Sequence, residues 1–124
     1  MNIVDSCGWL EYFSDGPNCE FFIPAIENVA ELLVPSITLY EVFKRVLQQR
    51  DENQALEAVA LMRQGKVIDL DTEISIHAAR ISVDHQLPMA DSIILATSLL
   101  LGAVLWTQDA DFEDIEGVKY TEKR

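Results

Sequence analysis

Four acidic side chains, Asp5, Glu41, Asp91 and Asp109, stand where a parallel α/β chain would bring them together. Asp5 follows the apolar pair Ile3-Val4, and Asp109 follows the run Ala103-Val104-Leu105-Trp106. Glu41 lies on the helix expected after Leu32-Leu33-Val34, and Asp91 opens the apolar stretch Ser92–Leu101. If the strands run parallel, these positions gather at their carboxyl ends, the edge where open α/β sheets bind ligands. A set of carboxylates with no histidine among them, and only Cys7 nearby, is a hard, oxygen-rich environment. It suits Mg²⁺, with Mn²⁺ as the alternative, rather than zinc. Such a site points to phosphodiester chemistry.

Taken singly, each acid has a structural explanation. Asp5 at a strand-to-helix junction fits an N-cap. Thr38-Leu39-Tyr40-Glu41 matches a capping box, and Glu41 also stands four residues before Arg45. Asp91 in a first helical turn is favoured by the helix dipole. Asp109, within Thr107-Gln108-Asp109-Ala110-Asp111, fits an Asx turn. Four caps have no reason to converge on one edge of one sheet, so convergence favours the site.

The elements that must position these acids alternate between strand and helix. Ile3–Val4 reads as a short strand, followed by a helix over Ser6–Phe13 that Asp15-Gly16-Pro17-Asn18 closes. Residues 23–30 suggest one or two helical turns with Pro24 near their start. After a strand at Leu32–Val34, a helix over Ser36–Arg50 shows an apolar face at Ile37, Tyr40, Phe43 and Leu47. A second helix runs from Asp51 to Gln64, with Leu56, Val59, Ala60 and Met62 apolar and Gly65 in the C′ position. Val67–Leu70 is a strand, and Thr72–His85 a helix that Leu87-Pro88 breaks. The segment Ala90–Leu101, apolar almost all round, is the expected most buried helix and ends at Gly102. Strands at Ala103–Thr107 and Val118–Tyr120 complete the chain. This alternation implies a three-layer α/β/α sandwich with a central, mainly parallel sheet, for which a doubly wound strand order near 3-2-1-4-5 is one arrangement. That order places the Asp5 and Asp109 strand ends side by side, with the helix of Asp91 capping the crevice.

A length of 124 residues, 49% of them apolar, is enough for one domain spanning residues 1–124 with a core of its own. Cys7 and Cys19 lack metal-binding spacing and read as buried or idle thiols. No basic, apolar leader opens the sequence, and Ile93–Leu101 is too short to span a bilayer, so the expectation is a cytoplasmic protein with no membrane partner. The net charge of −12 excludes a generic nucleic-acid coat, although a metal-dependent nuclease stays compatible with it. It also suggests a basic partner. Five of the nine basic residues fall between Lys44 and Lys66, so positive charge is local. His77 and His85 flank no motif, and the run of acids from Asp109 to Glu116 reads as a solvated loop.

Four segments together resemble the PIN-domain nucleases, and within them the VapC-type toxins of toxin–antitoxin pairs. They are Ile3-Val4-Asp5-Ser6, Pro35-Ser36-Ile37-Thr38-Leu39-Tyr40-Glu41-Val42, Leu87-Pro88-Met89-Ala90-Asp91-Ser92-Ile93-Ile94-Leu95-Ala96-Thr97, and Leu105-Trp106-Thr107-Gln108-Asp109-Ala110-Asp111-Phe112. Each is moderately specific; all four in order cover nearly the whole chain. The resemblance implies a metal-dependent endoribonuclease that hydrolyses RNA with metal-activated water. It maps the family's catalytic and metal-binding acids onto Asp5, Glu41, Asp91 and Asp109. Ser6 and Thr107 match its supporting hydroxyl residues, and Asp111 is a further supporting acid.

By the same resemblance the partners are an RNA substrate, a small cognate antitoxin and a second copy of the chain in a homodimer. RNA would approach over Lys44, Arg45 and Arg50, which supply phosphate contacts without sequence readout. A basic segment of the antitoxin would enter the acidic crevice, and its remainder would lie in an apolar groove anchored by Trp9, Leu10, Phe13 and Tyr40. Trp9 and Phe13 otherwise read as core or dimer contacts. Two other classes compete: a PIN-like module that binds partners without catalysis, and a receiver-like phosphoacceptor. The latter needs a late lysine at a strand end, and Lys119 stands too near the terminus to serve.

Overall fold

The order of the strands decides where a site can form. The computed structural model describes residues 1–124 and contains a five-stranded sheet of order β3-β2-β1-β4-β5. Its strands are β1 (Asn2–Val4), β2 (Leu32–Pro35), β3 (Lys66–Ile68), β4 (Val104–Thr107) and β5 (Val118–Tyr120), and every pairing is parallel. The helices are α1 (Ser6–Phe13), α2 (Cys19–Ile26), α3 (Ser36–Gln49), α4 (Glu52–Met62), α5 (Thr72–His85) and α6 (Met89–Leu101). From β1 the chain builds outward through β2 to β3, then returns to the other side of β1 for β4 and β5. The sheet therefore reverses direction between β1 and β4, and a crevice opens there at the carboxyl ends.

Alternation along each strand divides the core in two. In register, Ile3 lies beside Leu33 on one side and Leu105 on the other, and Leu105 lies beside Val118. This row faces α5 and α6, joining Ile74, Ala78, Ile81, Ile94 and Leu95. Val4, Leu32, Val34 and Trp106 point the opposite way and pack with Trp9, Phe22, Val42, Ala58 and Met62 from α1 to α4. Each large aliphatic side chain so buried contributes about 1.5–3 kcal/mol, which fixes the register because a one-residue slip would expose the whole set.

Helix α6 is the most enclosed, with seven consecutive residues from Ser92 to Ser98 buried. Its hydroxyls are satisfied locally. Ser92 donates to the Pro88 carbonyl, Thr97 to that of Ile93 and Ser98 to that of Ala103, each at 2.8 Å. Gly102, at φ 62°, ends the helix in the left-handed conformation and turns the chain into β4. No helix is long and apolar enough to cross a membrane.

Several local expectations differ from the structure. Helix α2 begins at Cys19, so Pro24 is its sixth residue rather than near its start. Burial of Phe22, Ala25 and Ile26 holds the helix despite the missing N–H. Gly65 has no positive φ, so it is not a left-handed C′ residue; a Cβ there would stand 3.0 Å from the Leu32 carbonyl and from Val34 Cγ2. Close approach to β2 explains that glycine. The buried residues of α3 are Thr38 and Val42, whereas Tyr40 is 59% exposed. The helix packs on both the sheet and α4, which rotates its apolar stripe away from the Tyr40–Leu47 line. On α4 the small residues Ala55 and Ala58 face inward and Leu56 faces out. Strand β3 starts at Lys66 and ends at Ile68, leaving Asp69 and Leu70 outside it.

Candidate metal centre

Asp5 is the first residue beyond β1, and its N–H continues the ladder by donating to the Trp106 carbonyl at 3.0 Å. Its side chain caps α1, with Oδ1 accepting the Ser6 N–H at 2.8 Å. The other oxygen, Oδ2, accepts the Thr107 hydroxyl at 2.8 Å and the Cys7 thiol at 3.3 Å. Thr107 ends β4 and does double duty, because its Oγ1 also accepts the Asp109 N–H at 2.9 Å. Asp109 in turn accepts the Asp111 N–H through Oδ1 at 2.9 Å, capping the short 3₁₀ helix Ala110–Phe112. Asp91 projects from the first turn of α6 and accepts no hydrogen bond from the protein. One carboxylate oxygen from each of Asp5, Asp91 and Asp109 lies within 4.8 Å of the other two.

The remaining sequence-derived residues sit around this trio. Glu41 does not belong to the 4.8 Å set; its Oε1 accepts the Ser6 hydroxyl at 2.5 Å. The expected capping box is absent, since Thr38 donates to the Pro35 carbonyl and Pro35 itself is the N-cap of α3. Asp111 is exposed, and its charge reaches Asp91. The local cap explanations of Asp5 and Asp109 are therefore correct without displacing the joint one. Capping aims both side chains into the same crevice.

Crowding of like charge has a direct electrostatic result. Burial pushes Asp5 up to about 6 against the pull of its three donors, with Asp109 adding repulsion. Asp91 rises to about 7, first through burial and then through the charges of Asp5, Asp109, Glu41 and Asp111. The Cys7 thiol is pushed up to about 12 by burial and by Asp5, so it remains neutral and serves as a donor to Asp5. Partial burial of Cys7 agrees with its reading as a buried or idle thiol, but the bond to Asp5 is additional; the signal for it is a position two residues after a carboxylate, in the first helical turn. No Lys or Arg side chain approaches any carboxylate within ion-pairing distance. Three close carboxylates, no competing cationic side chain and no thiolate form a donor set that fits a hard divalent cation.

Compared with protein-family models, the chain matches the PIN domain over residues 3–118. The chain belongs to the PIN-domain family. Sequence comparison with characterised proteins gives no significant match. In structure, this PIN domain is similar to a toxin–antitoxin complex from Klebsiella pneumoniae, with 22% identity, 96% of each chain covered and a TM-score of 0.79. It is also similar to VapBC from Salmonella typhimurium bound to DNA, with 19% identity, 98% of this chain and 96% of that one covered, and a TM-score of 0.75. A third is the Mycobacterium tuberculosis VapC20, a Sarcin-Ricin loop cleaving toxin, with 14% identity, coverage of 94% and 95%, and a TM-score of 0.77.

A groove of about 680 Å³ runs along this PIN domain between α1, α3 and α4 and reaches Cys7 and Gln108 beside the acids. Arg45, Arg50 and Lys123 line it together with Leu10 and Phe13. Lys44 does not; its ammonium lies 5.6 Å from the Tyr40 ring centre. Lys123 had no signal in the sequence, because the C-terminal tail returns to the groove only in three dimensions. Trp9 is 1% exposed and Tyr40 stands outside the groove, so of the four expected partner anchors only Leu10 and Phe13 line it. Lys119, the lysine a receiver would need, lies over the Trp106 ring at 4.2 Å instead.

Proposed function

We propose that this PIN domain, as a single nuclease domain over residues 1–124, is a Mg²⁺- or Mn²⁺-dependent endoribonuclease and the toxin of a toxin–antitoxin pair. The observation that carries this reading is the trio Asp5, Asp91 and Asp109, with ligand oxygens within 4.8 Å, at the point where the sheet reverses. Asp5, Asp91 and Asp109 would hold the cation directly, and Glu41 would complete the set from the rim. A bound divalent cation supplies Lewis-acid polarisation of the phosphoryl group and a lowered pKa for an attacking water.

The chain's own groups prepare that chemistry. Three donors lock Asp5 in one orientation, so no reorientation of its carboxylate is needed during reaction. Thr107 ties Asp109 to the same frame, and Ser6 steers Glu41. Asp91, near pKa 7 and without a hydrogen-bond partner, is the position where proton and cation compete. Water would add to phosphorus as the P–O bond to the leaving ribose oxygen breaks, and the proton that water loses balances the one that the leaving oxygen takes up.

Arg45 and Arg50, joined by Lys123, supply phosphate contacts along the groove, while Lys44 contributes from outside it. The similarity to VapBC assemblies supports an antitoxin partner; in this reading its basic segment would enter the acidic crevice and its remainder would rest against Leu10 and Phe13. Exposed Ile76 and Val83 on α5 offer apolar surface for a homodimer. A cytoplasmic location follows from this role.

The test is cleavage of end-labelled RNA by purified protein. Cleavage in Mg²⁺ or Mn²⁺ and none in EDTA is expected. Metal-independent cleavage, or none under any divalent condition, would overturn the assignment. Expression alone should arrest growth, and co-expression of the paired small gene should restore it.

A further inference from the structure

Asn18 closes the turn between α1 and α2. It is 5% exposed, yet its side chain makes no cap hydrogen bond to α2. Its carboxamide nitrogen donates twice across the chain, to Gln108 Oε1 at 2.9 Å and to the Glu122 carbonyl at 3.0 Å. Its own N–H is held by Glu11 Oε2 at 2.7 Å, which fixes the turn against α1. Gln108, also 5% exposed, stands between Thr107 and Asp109. On one side of Gln108, then, the Thr107 hydroxyl binds both Asp5 and the Asp109 N–H. The tail is tied to the same stretch a second time, because the Thr121 N–H donates to the Thr107 carbonyl at 3.0 Å.

Three segments distant in sequence thus meet at one carboxamide: the first turn, the end of β4 and the C-terminal tail. A buried amide pair is not the cheapest way to fill such a space, since apolar side chains of similar shape would need no matching partners. What amides provide is a fixed direction. The main chain is bonded at Thr107 through its carbonyl and at Asp109 through its N–H, and Asn18 holds Gln108 between them by its side chain.

We propose that Asn18 is a positioning residue for the metal centre. By holding Gln108 and the tail against the α1–α2 turn, it sets the direction from which Asp109 presents its carboxylate. It touches neither cation nor substrate. The proposal rests on the metal-dependent reading above and extends it to a residue outside the acidic set.

Calorimetric titration of the full chain with Mn²⁺ tests it without reference to cleavage. The variants are Asn18→Ala, Gln108→Met, the exchanged pair Asn18→Gln with Gln108→Asn, and Asp5→Asn. Ser98→Ala, which removes a buried hydroxyl bond of 2.8 Å away from the acids, controls for general loss of stability. Supporting groups of metal sites alter affinity by roughly 10–100-fold. Asn18 acts through a neighbour of the ligand, so about three- to tenfold weaker Mn²⁺ binding is expected for Asn18→Ala and Gln108→Met. The exchanged pair should restore the Kd to within about twofold of wild type, which loss of packing alone would not predict. Gln108→Met preserves side-chain volume and keeps the test available should Asn18→Ala not fold. Mn²⁺ binding that is lost in Asp5→Asn but unchanged in Asn18→Ala and Gln108→Met would overturn the positioning role and leave the metal site standing. Equal weakening by Ser98→Ala would overturn it too. Absence of Mn²⁺ binding in the wild type would overturn both readings.

Discussion

The two helical layers treat their acids in opposite ways. On the α1–α4 side, Asp5 is nearly inaccessible and receives bonds from a backbone N–H, a hydroxyl and a thiol. On the α5–α6 side, Asp91 receives none, although the helix that carries it is the most buried of all. One carboxylate is held by its partners, the other by the rigidity of its helix. The difference shows two ways of fixing an acid in a crevice of like charge. Hydrogen bonds steady Asp5 and hold its pKa below what burial alone would impose. Packing places Asp91 accurately and leaves its charge uncompensated.

The largest effect should come from Asp91→Asn, which removes the uncompensated charge. RNA cleavage in Mg²⁺ should fall at least about 100-fold, equivalent to roughly 2.7 kcal/mol of transition-state stabilisation. In EDTA the same variant should be more stable than wild type. Because the folded-state pKa of Asp91 is raised to about 7, its contribution to stability is fully present below about pH 4 and lost as pH rises through 7. The gap in Tm between variant and wild type should therefore widen from pH 5 to pH 8. Half-exposure of Asp91 limits it to roughly 1 kcal/mol, or about 3–5 °C. A variant that is inactive and also destabilised at pH 8 in EDTA would mean that Asp91 serves the helix terminus instead.

Thr107→Val probes the hydrogen-bonded side. Its hydroxyl serves both Asp5 and the Asp109 N–H, and valine preserves shape while removing both bonds. A loss of about 1–3 kcal/mol in stability is expected, because the buried Asp5 carboxylate loses a donor and the partly buried Asp109 N–H is left unpaired. Cleavage should drop about tenfold. If denaturant unfolding shows wild-type stability, Thr107 is not the link between the two acids.

Smaller effects belong to the groove. In an Asp91→Asn background that binds without cutting, Arg45→Ala, Arg50→Ala and Lys123→Ala should each weaken RNA binding about threefold by fluorescence anisotropy, as expected for exposed phosphate contacts. Lys44→Ala, outside the groove, should change it less. Equal losses at all four positions would indicate diffuse attraction rather than a path.

Much of this arrangement was readable from local signals. The limits of α1, α5 and β5 match their sequence patterns, because each is bounded by clear breakers or caps. Parallel pairing followed from the alternation of strand and helix, and a doubly wound order like the one observed is what brings Asp5, Asp91 and Asp109 together. What escaped depends on partners far away in the chain. Helix α2 forms through Pro24 because Phe22 and Ile26 find a core that no local propensity contains. The stripe of α3 is set by α4 as much as by the sheet. Cys7 meets Thr107 from 100 residues away, and the Asn18–Gln108 bond spans 90 residues. Lys123 enters the groove for the same reason.

The scarcity of ion pairs has a consequence for ionic strength. The one salt bridge joins the terminal amine to Glu31, so none of the 21 acidic residues is ion-paired with any of the 9 basic side chains. A folded chain of net charge −12 repels itself, and dissolved salt relieves that repulsion once the Debye length falls below about 10 Å, near 0.1 M. Contacts between groove cations and a polyanion weaken over the same range. Added salt should therefore firm the fold while loosening the hold of the groove on any polyanion, and dilute buffer should do the reverse.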